Sequence, residues 1–294
     1  MGIIYGLTAA VCWGAADFLV RYSTRIIGSF RTLFFMQALG CIALTVLLVT
    51  TGELATVSHH ASVQGWLWAL LTALLSTFSS LALYRAFEIG VISVVSPIAA
   101  TYAAVAVLLA LLSGTRLSPL HGAGLAVALL GVGLTATSFV PSSPEVQPTL
   151  PGHHGWLPRG VDWAILSAVG FGLTFWLFGV RVTPELGGIV PVWVVRLTAS
   201  SALALVALPT RQSLKWPTRR AWWLVIGVAI LDTTAYVANV VGLTTHQIAV
   251  VNVMASLFSA VTVLLAWIFL RERLRWNQWL GIGLIFASIA LVSL

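Results

Sequence analysis

Asp232 sits inside the apolar stretch Ile230-Leu-Asp-Thr-Thr-Ala-Tyr236, with Tyr236 four and Asn239 seven residues further on. At helical spacing these three side chains share one face. An unpaired charge at membrane depth costs at least ~2.5–3.5 kcal/mol. The face therefore either lines a polar cavity, where a carboxylate would set ligand charge or carry a proton, or ties two helices together. Arg196 lies seven residues into another apolar stretch, roughly 10 Å along a helix. It needs an anionic partner, and Asp232 or a ligand carboxylate are the candidates. Asp17 falls at the end of the first apolar run with Arg21 one turn later, a spacing that permits a local ion pair near the interface. Arg85 and Glu88 are similarly close.

The aromatic residues divide by depth. Trp66, Trp68, Trp156, Trp163, Trp216, Trp222, Trp223, Trp276 and Trp279 cluster near the ends of apolar runs, where interfacial anchoring accounts for them. Trp13, Trp176 and Trp193 lie deeper, as do Tyr84, Tyr102 and Tyr236. They could wall a cavity or stack on a cation, or simply fill the core. Ser96-Pro97 interrupts one run, where proline removes a backbone hydrogen bond and bends a helix. The corresponding Asn252-Val253 keeps the polar residue and loses the proline, so a one-sided kink is expected. The candidate cavity set is Asp232, Arg196, Tyr236, Asn239, Trp13, Asp17, Trp176, Tyr84, Tyr102 and Asn252.

Enzymatic chemistry finds little support. It would need a nucleophile and base, or metal ligands, gathered at one depth. His246 lies in a short loop with no carboxylate beside it, and His59-His60 and His153-His154 have no acidic or thiol partner at ligand spacing. Gly122/Gly124, Gly131/Gly133 and Gly281/Gly283 lie inside apolar runs, where small residues let helices approach. No strand precedes them, as a nucleotide-binding turn requires. No catalytic set, metal or cofactor is expected. Cys12 and Cys41 fall in apolar runs and read as packing residues.

The elements that must hold these groups follow from composition. The chain has 294 residues, 59% hydrophobic and 8% charged, against roughly 25% charged in a soluble domain. Ten apolar runs are long enough to cross a bilayer as helices: about 3–20, 31–50, 65–87, 91–113, 119–139, 161–180, 189–208, 221–243, 247–270 and 276–294. They do not alternate as barrel strands would. The net charge of +7 comes from short loop clusters and marks topology rather than nucleic-acid binding. Between the runs and at their ends, the odd-numbered loops carry Arg21, Arg25, Arg31, Arg85, Arg159, Arg211, Lys215, Arg219, Arg220, Arg271, Arg273 and Arg275; the even-numbered loops carry Arg116 and Arg181. That bias predicts both termini outside the cytoplasm. No cleavable signal peptide is expected, because the first run follows Met1 with no basic stretch ahead of it.

The second half of the chain repeats the first. Val91 to Leu111 aligns on Gln247 to Trp267, an offset of 156, with 10 of 21 positions identical. Arg116-Leu117 matches Arg273-Leu274 one residue out of step, Trp13-Gly14 matches Phe171-Gly172, and Asp17-Phe18 matches Phe175-Trp176. Arg196 falls opposite Gln37, and the stretch around Asp232 falls opposite Ser76-Thr77-Phe78-Ser79-Ser80. The division is a first five-helix repeat over 1–140, a linker over 141–160 with prolines at 141, 144, 148, 151 and 158, and a second repeat over 161–294. A repeat with five crossings inserts its second copy upside down, as in many secondary transporters.

Trp13-Gly14, Arg196-Leu197 and Val261 to Leu274 followed by Gln278-Trp279-Leu280-Gly281-Ile282 make the chain resemble a ten-helix member of the drug/metabolite transporter superfamily, of the EamA type. The resemblance covers essentially the whole chain. It implies an all-α membrane protein with two inverted five-helix repeats in the cell (inner) membrane, exporting a small metabolite or drug-like molecule by alternating access, with protons or a counter-substrate as partners. Substrates across the superfamily range from amino acids and sugars to nucleotide sugars, cations and drugs. The chain departs from the common pattern in lacking a basic tail after the last run and in its charge bias, opposite to the cytoplasmic termini usual for relatives. The rival readings are a lipid flippase, which an Arg-lined lateral opening would favour, and an intramembrane enzyme.

Overall fold

A computed structural model describes residues 1–114, 118–136, 159–270 and 276–293. The proline-rich linker from 141 to 158 with its histidine pair, Trp156, Arg116-Leu117, the stretch with Arg271, Arg273 and Arg275, and Leu294 lie outside the described residues.

Fourteen helices follow in order among the described residues: α1 (Gly2–Ile27), α2 (Ser29–Thr51), α3 (Glu53–His60), α4 (Val63–Ile89), α5 (Ile92–Ala100), α6 (Tyr102–Leu112), α7 (Pro119–Ala136), α8 (Val161–Leu177), α9 (Thr183–Leu186), α10 (Val190–Ala207), α11 (Arg219–Leu243), α12 (Ile248–Ser256), α13 (Phe258–Leu270) and α14 (Trp276–Ser293). A π-helical turn, Phe178–Val182, joins α8 to α9. Eight helical segments are long and apolar enough to cross a membrane, two of them the pairs α5–α6 and α12–α13. Helices α7 and α14 coincide with the two remaining apolar runs.

The faces are sorted as a bilayer requires, with apolar groups outward. On α4, Leu67, Leu71, Leu74 and Phe78 are exposed at helical spacing, while Thr72, Ser76, Ser79 and Ser80 are buried. On α2, Ile42, Val46 and Val49 form a similar outer stripe. Water would reverse this arrangement, because polar side chains gain nothing from burial unless they find partners. The protein is a multi-pass integral membrane protein.

Packing between the halves is reciprocal. Helix α1 lies along α11, α12 and α13 of the second half, and α8 lies along α4, α5 and α6 of the first. Helices α2 and α10 pack together, as do α7 and α14, α5 and α13, and α6 and α12. Two glycines permit a matched pair of these approaches. A Cβ on Gly14 would lie 2.5 Å from Cβ of Val261 and 2.9 Å from the Phe258 carbonyl oxygen; a Cβ on Gly172 would lie 2.5 Å from Cβ of Val105 and 2.9 Å from the Tyr102 carbonyl oxygen. The two contacts are copies of one another, and neither tolerates a side chain.

The one-sided kink expected at Pro97 is corrected. The fourth apolar run does break, between α5 and α6 at Thr101, but the ninth breaks equally, between α12 and α13 at Leu257. The second break needs no proline. Leu257 N–H donates to the Met254 carbonyl at 3.3 Å, and the Ser256 hydroxyl donates to the Val253 carbonyl at 2.7 Å. Tightened turns with hydroxyls bonded back to carbonyls interrupt a helix as a proline does.

The first, third and seventh connections meet at one end of the bundle. Arg25 donates to the Gly90 carbonyl at 3.3 Å, Ser29 N–H to Glu88 at 3.3 Å, and Arg31 to the Lys215 carbonyl. Arg85 and Glu88 pair at 3.0 Å, as their spacing predicts. At the opposite end Glu185 accepts from the backbone N–H of Ser62 at 3.1 Å and from its hydroxyl, and Arg181 lies over the Trp68 ring.

Candidate functional site

The two helix breaks place Tyr102 and Phe258 opposite one another, their rings stacked with centroids 6.4 Å apart. These residues correspond in the repeat. Around them α1 contributes Trp13 and Asp17, one turn apart; α4 contributes Ser80 and Tyr84, also one turn apart; α8 contributes Phe171 and Phe175; and α11 contributes Asp232 and Tyr236. Each pair follows from spacing of four residues on one helix, which points both side chains the same way. Together with Met36, Leu83, Ala99 and Phe258 they enclose a cavity where the halves meet.

The polar centre is Asp232. Its Oδ2 accepts from Arg196 Nη2 at 2.6 Å and its Oδ1 from the indole N–H of Trp13 at 3.1 Å. Arg196 is 1% exposed. Its Nη1 donates to Gln37 Oε1 at 2.7 Å, and its guanidinium lies 5.3 Å from the Tyr236 ring centre. Gly40 opens the space beside it, since a Cβ there would come within 3.1 Å of Arg196 Cδ and Nε. Tyr236 in turn shares a 2.8 Å hydrogen bond with Ser76, and the Tyr102 hydroxyl donates to the Asn252 carbonyl at 3.2 Å. The charge-assisted bonds of Arg196 and Asp232 are the strong ones among these. Four of these five links, Trp13 to Asp232, Arg196 to Gln37, Tyr236 to Ser76 and Tyr102 to Asn252, join one half of the chain to the other, while the Arg196–Asp232 pair lies within the second half.

The rings pack on each other rather than around an open space. Phe175 lies 5.5 Å from Trp13, 5.3 Å from Tyr102 and 5.4 Å from Tyr236. A guest larger than a few atoms enters only when these rings part. With Glu185 bonded to Ser62 at one end and Arg31 to Lys215 at the other, both ends carry a contact between the halves.

Of the residues singled out in the sequence, Asp232, Tyr236, Trp13, Asp17, Tyr84 and Tyr102 line the cavity. Arg196 stands behind its wall, held to Asp232. Asn252 backs Tyr102 through its carbonyl while its amide nitrogen donates to Ile248 at 3.0 Å. Asn239 is buried with neither amide atom bonded, away from the cavity lining. Trp176 is not brought to the site: its indole donates to the Ser113 hydroxyl at 2.9 Å on an exposed face, because one residue's rotation along α8 turns Phe175 inward and Trp176 outward. Trp193 likewise bonds Thr45 at 2.8 Å on an exposed face.

The reading of Asp17 as a helix-end, interfacial residue is corrected. Helix α1 runs on to Ile27, so Asp17 lies within it, 6% exposed, with its Oδ2 accepting no hydrogen bond. Phe171, Phe175 and Phe258 are cavity residues that reading missed. The signal was in the repeat, where they stand opposite Trp13, Asp17 and Tyr102.

No curated protein matches the chain. Among 29 matching chains of solved structures, one described only as the crystal structure of a protein superposes with a TM-score of 0.72 at 19% identity, over 99% of this chain and 96% of that one. That likeness shows a shared fold. The sequence pattern of the EamA-like transporter family matches residues 1–137 and again residues 158–294, one match for each half whose reciprocal packing builds the cavity. A membrane bundle of two repeated halves, closed around one polar centre, thus belongs to the EamA-like transporter family.

Proposed function

We propose that the protein is a secondary transporter that moves a small organic metabolite or drug-like molecule outward across the cell membrane by alternating access. In this reading ten helices cross the bilayer as two inverted five-helix repeats, 1–140 and 161–294, joined by the linker 141–160. The observation that carries it is the Asp232 centre, a buried charge network bridging the two halves on the wall of a ring-lined cavity. Membrane-buried charges mark substrate and ion pathways, and a site between inverted repeats is where rocking of one half on the other opens alternate sides.

The hydrogen bonds that cross between the halves at this site, from Trp13, Arg196, Tyr236 and Tyr102, each contribute a net ~0.5–1.5 kcal/mol, more where charged. Breaking them in turn, rather than together, keeps both open states within thermal reach. Trp13 is the pivotal donor: if a substrate group takes its place on Asp232, the ring is freed to move and the halves to separate. Arg196 is committed to Asp232 and Gln37 and does not line the cavity, which favours a soluble substrate over an Arg-guided lipid headgroup.

The test is reconstitution into liposomes, with ligands first found by thermal shift across amino acids, cations, sugars and nucleotides. Gradient-driven flux of a stabilising ligand, lost in Asp232→Asn, is the expected result. Movement of fluorescent lipid between leaflets without solute flux would replace this reading with the flippase.

A further inference from the structure

The cavity contains two carboxylates, and only one of them is satisfied. Asp232 has a donor on each oxygen, including the guanidinium that balances its charge. Asp17 lines the same cavity, 6% exposed, with its Oδ2 accepting nothing. Opposite it on α4, the Tyr84 hydroxyl is also buried, also on the cavity wall, and also without a partner. Arg21, one turn along α1, is not part of the lining. Buried polar atoms without partners are rare, and such an atom facing a cavity calls for the ligand that completes it.

We infer that this cavity binds a protonated primary or secondary organic amine, its N–H groups donating to Asp17 and to the Tyr84 oxygen while its hydrocarbon part lies among Trp13, Phe171, Phe175 and Phe258. The ionised Asp17 carboxylate only accepts, so the ligand must donate to it, and the Tyr84 hydroxyl, able to accept as well as to donate, takes a second N–H. The carboxylate demands a cation, and electron-rich ring faces add attraction for one. An anion would meet two carboxylates and find the Arg196 guanidinium behind the wall already engaged. A quaternary ammonium would satisfy the charge and the rings but could not donate to either oxygen. The inference deepens the transport reading by naming its substrate class, yet the binding site it describes stands without transport.

The test uses the full chain in detergent and four probes of matched size: benzylamine, benzyltrimethylammonium, benzyl alcohol and benzoate. Thermal shift and tryptophan fluorescence quenching report binding. Benzylamine is expected to bind at least about tenfold more tightly than the alcohol or benzoate, with the quaternary cation between them. Asp17→Asn should erase the preference for charge, Asp17→Glu should retain it, and Tyr84→Phe should narrow the gap between primary and quaternary amines alone. Equal or tighter binding of benzoate or the alcohol, no binding of benzylamine, or unchanged benzylamine affinity in Asp17→Asn would overturn it. Should Asp17→Asn fail to fold, the wild-type ranking of the four probes decides. Benzylamine binding without liposome uptake would leave the site standing and remove the transport reading. Uptake of other solutes with no benzylamine binding would do the reverse.

Discussion

Arg196 is tolerable in its setting only because several groups converge on one guanidinium. Taking one partner away is therefore worse than taking both. Asp232→Asn preserves shape but leaves a buried cation with Gln37 as its remaining hydrogen-bonded side-chain oxygen, and should destabilise the protein by about 3–5 kcal/mol. The double change Arg196→Met with Asp232→Leu should recover most of that loss, since apolar residues of similar volume often replace a buried pair without penalty. Denaturation in mild detergent measures both, and a double variant no more stable than Asp232→Asn would show that the pair is not the source of the cost. At this scale the sequence narrows the pairing to Asp232 or a ligand carboxylate, and the structure joins Arg196 to Asp232. The sequence hides the depth of Asp17, because the apolar run gives out near Val20 while the helix continues. Ser23 and Thr24 bury their hydroxyls there, Ser23 against Thr32 at 3.0 Å and Thr24 against the Val20 carbonyl at 2.8 Å. Hydropathy counts such residues as polar, although locally satisfied hydroxyls continue a membrane helix at little cost.

Among the elements, the broken helices carry the most information. Pro97 draws attention in the sequence, yet the break at Leu257 arises without a proline, so Pro97 is not what interrupts the chain. Pro97→Ala should leave the break in place and change stability by less than about 1 kcal/mol, with solute flux close to wild type. A large rise in melting temperature with loss of flux would mean that the proline does hold α5 and α6 apart. The second break is hard to foresee because Ser256 and Ser259 offer no signal distinct from ordinary packing serines. The inward face of α8 is easier: the repeat places Phe171 and Phe175 opposite Trp13 and Asp17. Weighing tryptophan by residue type instead selects Trp176, one position too far along the helix.

For the whole molecule, the duplication and the helical bundle are legible from hydropathy and self-alignment alone, whereas the exchange of α1 and α8 between halves is not, since nothing in either helix names its neighbour. The mirrored glycine contacts give a test of that exchange. Gly14→Ala and Gly172→Ala should each cost about 1–3 kcal/mol through overpacking, by similar amounts. A marked difference between them would argue that the halves are not held alike. Orientation is a separate matter. The connections carrying Arg25, Arg31 and Lys215 meet at one end, and the positive-inside rule puts that end in the cytoplasm. A reporter fused after Leu294 should therefore respond as extracytoplasmic, and a cytoplasmic signal would reverse the assignment.

The exchange of α1 also sets a timetable on the ribosome. Helix α1 spans Gly2–Ile27, but its long partner α11 begins at Arg219. At about 5–20 residues per second the nascent chain needs roughly 10–40 s to supply that partner. Throughout that interval the indole of Trp13 lacks its acceptor Asp232, and Asp17, whose Oδ2 accepts no hydrogen bond even in the finished fold, lies in a helix not yet covered by α11; an aspartate facing lipid costs ~2.5–3.5 kcal/mol. Completion of the cavity is then a late event of synthesis, since Phe258 follows α11, and an unfinished chain advertises itself by a charge in lipid. Chains stopped before Arg219 should be degraded faster than full-length protein in a pulse-chase, and Asp17→Leu should prolong the life of the stopped chains. Equal lifetimes with and without that substitution would show that the waiting aspartate is not what the cell detects.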